Sequence, residues 1–175
     1  MRHLRAPPWR AGRDLARPEL AAGEQVAAVV ARRAAVAEAE AAGAAELVGV
    51  LGDLAIGERR AQERAAGRVK IVAGAGTNST ASTVAKVREM STLGVDGVLL
   101  VTPAYNRPTQ EGLYRHYEAA AEASSVPVVL YNVPSRTACD MLPETVARLA
   151  ALPRVVAIKE AVASLDRFRA LRAAC

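Results

Sequence analysis

Serine, threonine, asparagine, lysine, tyrosine, phenylalanine and cysteine are all absent from residues 1–68, and all are present in residues 69–175. Hydroxyl and amide side chains cap helices and close turns, so the first segment lacks the ordinary means of starting and ending elements. All eleven of its lysine-or-arginine positions are arginine, and Ala, Arg, Glu, Gly and Val dominate it. The whole chain has two cysteines, Cys139 and Cys175. Two are too few for a disulfide framework, they lack metal-ligand spacing, and they fit a reducing compartment. Aromatic residues make up 3%, and the net charge of +5 is spread among acids rather than gathered in a stripe. That pattern excludes the usual footprint of a nucleic-acid partner. No apolar run approaches bilayer length and nothing resembles a secretory leader. The expectation is a soluble, cytoplasmic protein with no membrane partner.

What the first segment does contain is helix-favouring. Five arginines against Asp14 in residues 1–17, with Pro7 and Pro8 beside Trp9, predict a disordered end rather than a targeting peptide. Residues 19–66 predict helix from their Ala, Glu and Arg content, interrupted by glycines, with a possible short strand over 47–51.

From residue 69 the pattern becomes regular. Apolar runs predict strands starting near 69, 96, 126 and 155, a repeat of about 27 to 30 residues, each followed by a loop and a helix. The helices are predicted over 80–93, through Leu113, Tyr117, Ala120 and Ala121, from Pro143 with Val146, Leu149 and Ala150 inward, and after Ser164 with Leu165, Phe168 and Leu171 on one side. Such βα units make neighbouring strands parallel, so every strand ends on the same edge of the sheet. Gly74 to Asn78, Thr102 with Tyr105, Tyr131 with Asn132, and Lys159 with Glu160 are therefore expected on one rim, the rim that carries chemistry in such folds.

Arg154-Val-Val-Ala-Ile-Lys-Glu160 is the most telling stretch. A lysine at the end of a buried strand either snorkels to water or, dehydrated, gives up its proton and becomes a nucleophile for carbonyl carbons. The stretch alone leaves both readings open. An imine-forming lysine needs a proton carrier, which Tyr131 at the end of the preceding strand can provide, and a carboxylic-acid substrate needs a cation such as Arg136. Equally, Tyr131 can be core and Arg136 solvated. His116 reads as a solvated helical histidine, Gly74-Ala-Gly76 lacks the rest of a phosphate loop, and nothing marks Cys139 as an activated thiolate.

Three motifs carry a resemblance. Val101-Thr-Pro-Ala-Tyr-Asn-Arg-Pro-Thr-Gln-Glu-Gly-Leu-Tyr114, Leu130-Tyr-Asn-Val-Pro-Ser-Arg-Thr-Ala-Cys-Asp140 and Ala157-Ile-Lys-Glu-Ala161, preceded by Gly74-Ala-Gly-Thr-Asn-Ser79, resemble consecutive motifs of the dihydrodipicolinate synthase family. The resemblance implies a (β/α)8 TIM barrel of the Schiff-base, class I aldolase type, a lyase acting in lysine biosynthesis with no cofactor and no metal. It implies that Lys159 forms an imine with pyruvate, that Tyr131 shuttles protons, and that Tyr105 reaches across a dimer interface to a neighbour's relay. Arg136 would hold the carboxylate of L-aspartate 4-semialdehyde, and the complete enzyme would be a homo-oligomer. The run containing Arg136 favours this enzyme over the related pyruvate-dependent aldolases, including the N-acetylneuraminate lyases.

The chain also departs from the family. The family's Gly-Thr-Thr-Gly-Glu run, whose threonines hold pyruvate and link the two tyrosines, has no counterpart, because no threonine precedes Thr77. Ala104 stands where many members have an aromatic residue, which argues against lysine feedback. A full barrel takes about 250 residues, more than the 175 present. The expected fold is thus a partial barrel of about four βα units over residues 69–175, with residues 1–68 an atypical, unmatched segment. The expectation that follows is a truncated gene with a shifted or unrelated reading frame before residue 68. A catalytically inactive barrel fragment is the alternative to an active synthase.

Overall fold

The computed structural model describes residues 28–31, 48–50, 61–63, 65–68 and 70–175. Two short strands, β1 (Ala28–Ala31) and β2 (Val48–Val50), precede a regular alternation. It runs β3 (Ile71–Gly74), α1 (Thr80–Thr92), β4 (Gly97–Val101), α2 (Gln110–Ala123), β5 (Val128–Asn132), α3 (Pro134–Thr137), α4 (Pro143–Ala150), β6 (Val155–Glu160) and α5 (Leu165–Ala174). The strands form one sheet in the order β1-β6-β5-β4-β3-β2. Strands β2 to β6 pair in parallel, and β1 runs antiparallel along the outer edge of β6. The alternation from β3 onward is a partial α/β barrel, as expected.

Local chemistry explains where the helices start. Ser79 and Thr109 cap α1 and α2, their side-chain oxygens accepting from the backbone N–H of Ser82 and Gly112. Ser164 does the same for α5 through Arg167 N–H, and Pro143 opens α4 where its missing donor costs nothing. Helix α1 stops at Leu93, and Gly94 follows with φ +75°, a conformation that only glycine adopts without strain.

One face of the sheet holds the core. Val98, Leu100, Val128, Leu130 and Ile158 are wholly or nearly wholly buried there beneath Val87, Leu113, Tyr117, Leu149 and Leu171 of the helices. Each such aliphatic side chain contributes about 1.5–3 kcal/mol through burial. The phenol of Tyr117 stays in this core because its hydroxyl donates to the Leu100 carbonyl at 3.1 Å. On the opposite face Leu99, Val101, Tyr131, Ala157 and Lys159 alternate with the core residues and are only partly buried.

Several expectations need correction. Ala28–Ala31, read as part of a helical stretch, is a strand: the free backbone edge of β6 needs hydrogen-bond partners, and β1 supplies them. The short strand expected over 47–51 is present as β2, while the rest of the helix expected over 19–66 lies largely outside the described residues. Leu165 is 72% exposed, so α5 turns inward through Leu171 and only partly through Phe168. His116 is buried rather than solvated: it sits on the inner face of α2, its Nδ1 2.9 Å from the Thr80 hydroxyl. Among the described residues, no helix is long and apolar enough to cross a membrane.

Candidate active site

Val101, Tyr131 and Lys159 occupy partner positions across β4, β5 and β6. Side chains alternate along a strand, so all three stand on the face away from the helices, and the next residues along, Asn132 and Glu160, point into the helix side. The Lys159 Nζ lies 4.4 Å from the centre of the Tyr131 ring. A cation over a phenol is worth about 0.5–1 kcal/mol at an accessible site. Both side chains are half-buried, open enough for a small molecule to reach them.

A cavity of about 530 Å³ lies at the C-terminal ends of β3, β4 and β5, with Gly74, Gly76, Tyr131, Arg136 and Thr137 among its walls. Lys159 is not one of those walls; its amine sits one strand further along, over the Tyr131 ring. Gly76 is required by close approach: a Cβ there would collide with the Val101 backbone nitrogen. Arg136 is exposed on the single helical turn α3, which Pro134 opens and Ala138 ends in the left-handed region with φ 54°. Tyr105 is 90% exposed, with φ 68°, on the loop after β4. Its backbone N–H donates to the Thr137 carbonyl at 3.4 Å. The structure therefore brings Lys159 to Tyr131 and sets Arg136 on the cavity that Tyr131 lines, while the Tyr105 ring stands in solvent.

Behind the rim lies a layer of buried polar groups. Thr102 donates to the Thr137 hydroxyl at 3.0 Å, and its own N–H donates to the Tyr131 carbonyl at 3.0 Å. Thr137 in turn lies within hydrogen-bond distance of the Val133 and Cys139 carbonyls, which ties the loop after β5 to the end of β4. Asn132 and Glu160 meet behind the Tyr131–Lys159 pair and are joined by Asp140 and Arg167. Sequence reasoning placed Asn132 and Glu160 on the rim but missed Asp140, Thr137 and Arg167. The available signal was two polar residues ending two buried strands in register, which demand polar partners from elsewhere. Cys139 is buried, and burial together with the neighbouring Asp140 carboxylate pushes its thiol up, away from thiolate reactivity.

The family model described as the dihydrodipicolinate synthetase family matches residues 58–175. The chain is 55% identical over 113 residues to the 4-hydroxy-tetrahydrodipicolinate synthase of Methylococcus capsulatus and 56% identical over 113 residues to that of Trichlorobacter lovleyi. Each alignment takes in 65% of this chain and 39% of the relative, so the chain spans about two-fifths of the curated relatives it matches. Among solved structures, it is similar to a chloride-inhibited dihydrodipicolinate synthase of Acinetobacter baumannii in complex with pyruvate, with TM-score 0.69 and 41% identity over 74% of this chain and 48% of the other. The 4-hydroxy-tetrahydrodipicolinate synthase of Methylacidiphilum fumariolicum is similar to it at TM-score 0.68 and 43% identity, over 73% of this chain and 46% of the other.

Proposed function

The chain belongs to the dihydrodipicolinate synthetase family, and we propose that it carries the imine-forming half of a 4-hydroxy-tetrahydrodipicolinate synthase, a lyase of lysine biosynthesis in the cytoplasm. The working part is residues 69–175. The Lys159 amine, after passing its proton to solvent, attacks the keto carbon of pyruvate; the carbinolamine loses water and leaves an imine, with no cofactor or metal. The imine makes the adjacent methyl group acidic, and the resulting enamine carbon attacks the aldehyde of L-aspartate 4-semialdehyde. Tyr131 carries protons to and from the carbinolamine. Arg136 offers its planar fork to the carboxylate of the aldehyde substrate at the cavity mouth. The exposed Tyr105 ring serves a neighbouring subunit in a homo-oligomer.

One observation carries this reading: the Lys159 amine lies 4.4 Å from the Tyr131 ring, within the motifs that define the resemblance. Borohydride trapping tests it. Incubation with pyruvate, reduction and peptide mapping are expected to place a single pyruvyl mass on Lys159. No adduct on soluble, folded protein removes the proposal.

A second reading, a catalytically inactive fragment, is favoured by one specific feature. Strand β1 runs antiparallel on the outer edge of β6, where a βα repeat supplies a parallel strand. The sheet is thus edged rather than continued toward closure.

A further inference from the structure

Tyr131–Asn132 and Lys159–Glu160 are partner dipeptides at the ends of β5 and β6. Their first members face the open side and their second members the helices. Glu160 is 2% exposed, and its two carboxylate oxygens accept from Asn132 Nδ2 at 3.1 and 3.0 Å. Its Oε1 also accepts from the Val162 N–H at 2.9 Å. Asn132 is itself held from two further directions: Nδ2 donates to Asp140 Oδ1 at 2.9 Å, and Oδ1 accepts from the Met141 N–H at 3.0 Å. Arg167 closes the cluster from α5. It donates to Asp140 through Nη1 at 3.2 Å and Nη2 at 2.6 Å, donates to the Met141 carbonyl at 2.9 Å, and lies 3.8 Å from Glu160 Oε2. The backbone ladder runs one step past the strand end, with Ala161 N–H donating to the Asn132 carbonyl at 2.9 Å.

Glu160 is the buried charge of this cluster, Asp140 and Arg167 being partly exposed; as a source of stability it is weak, because dehydrating the Glu160 carboxylate offsets most of the attraction it gains. What it supplies is geometry. Each member is held by several directional bonds, and the Asn132–Glu160 contact links the two strands directly behind the Tyr131–Lys159 contact. Because neighbouring residues of a strand share a peptide plane, fixing Asn132 and Glu160 on one face fixes the backbone from which the Tyr131 and Lys159 side chains leave on the other, and so the direction of their Cα–Cβ bonds.

We propose that the Asn132–Glu160–Asp140–Arg167 cluster is a positioning device that aims Lys159 at Tyr131 from the opposite face of the sheet. Its catalytic meaning rests on the imine-forming role of Lys159, but the positioning can be measured without substrate. The chain has three lysines, Lys70, Lys86 and Lys159. Reductive methylation with ¹³C-formaldehyde gives each a dimethyl resonance, and Lys159→Arg assigns the one of interest. In the unaltered full chain this resonance is expected upfield, displaced by the Tyr131 ring.

Glu160→Gln keeps the shape but puts an amide where a carboxylate accepted three hydrogen bonds, and is expected to return the resonance most of the way to its unshifted position. Leu149→Ala, a core truncation in α4, is expected to lower Tm and leave the resonance in place. An unmoved resonance in folded Glu160→Gln overturns the proposal, as does an equal movement in Leu149→Ala. If Glu160→Gln does not fold, Arg167→Gln, which removes the fork and adds no methylatable amine, decides by the same resonance. With pyruvate present, Glu160→Gln is also expected to slow borohydride trapping at saturation about ten- to a hundredfold, the cost of a misplaced nucleophile. A wild-type chain that traps no pyruvate while its Lys159 resonance is displaced refutes the imine-forming role and leaves the positioning intact.

Discussion

The Lys159 amine and the Tyr131 ring are 4.4 Å apart on partner positions of adjacent parallel strands, so their contact is set by strand register. Lys159→Arg keeps a cation over the ring but cannot form an imine, and is expected to abolish pyruvate trapping while leaving the urea unfolding midpoint nearly unchanged. Tyr131→Phe keeps the ring and removes the hydroxyl. If Tyr131 moves protons, trapping at saturating pyruvate slows by about 10²- to 10⁴-fold. Trapping at the unaltered rate would take Tyr131 out of the proton path.

Arg136 is exposed on α3 at the wall of the cavity. Truncating it to alanine removes a charge-assisted hydrogen bond worth about 1.5–3 kcal/mol to a bound carboxylate. If the chain acts as proposed, the concentration of aspartate semialdehyde required for half-maximal turnover is expected to rise about 10- to 100-fold, with a much smaller change in the pyruvate dependence of trapping. Equal changes for both substrates would assign Arg136 a structural role instead.

Gly76→Ala is expected to destabilise the fold by about 1–3 kcal/mol, a typical cost of forced backbone movement in a tightly packed site. The added Cβ collides with the Val101 nitrogen and lies 3.1 Å from the Leu100 carbonyl carbon, both rigid backbone atoms. Urea denaturation measures the loss. An unchanged midpoint would show that β3 and β4 separate at this point without cost.

His116 predicts a pH dependence. Burial pushes its imidazole below the ordinary value of 6.5, and its Nε2 has no hydrogen-bond partner among the described residues. As pH falls, the unfolded chain binds this proton before the folded chain does. Stability is therefore complete above about 6.5 and is lost as pH drops through the interval down to the lowered folded value. Urea midpoints at pH 7.5 and 5.5 are expected to show the decline, and His116→Gln is expected to flatten it. The same slope in both proteins would assign the effect to other groups.

Much of the candidate site is legible in the sequence. Lys159 and Tyr131 each end an apolar run in a βα repeat, and the repeat alone places both on one rim. His116 was misread because its neighbours Arg115 and Glu118 are partly exposed and charged, whereas the side chain itself is turned toward Thr80. Arg167 was invisible because it lies among other arginines on a mostly exposed helix; only the packing of α5 beside Asp140 distinguishes it. Strand β1 was hidden in a stretch whose composition favours helix, since pairing with β6 is a tertiary event that overrides local propensity.

The sequence by itself determined the order of the strands and of the longer helices from residue 71 onward, the inward positions of most of those helices, and the family; the single turn α3 was not among them. Those follow from periodicity, caps and motifs, which are local. Only the tertiary structure decided that Lys159 rests over Tyr131, that Asn132 and Glu160 are locked together behind them by Asp140 and Arg167, and that β1 edges the lysine strand. These depend on strand register and on which helix face meets which loop. Residues 27 to 132 positions apart reach one another there through packing, and no local pattern encodes that meeting.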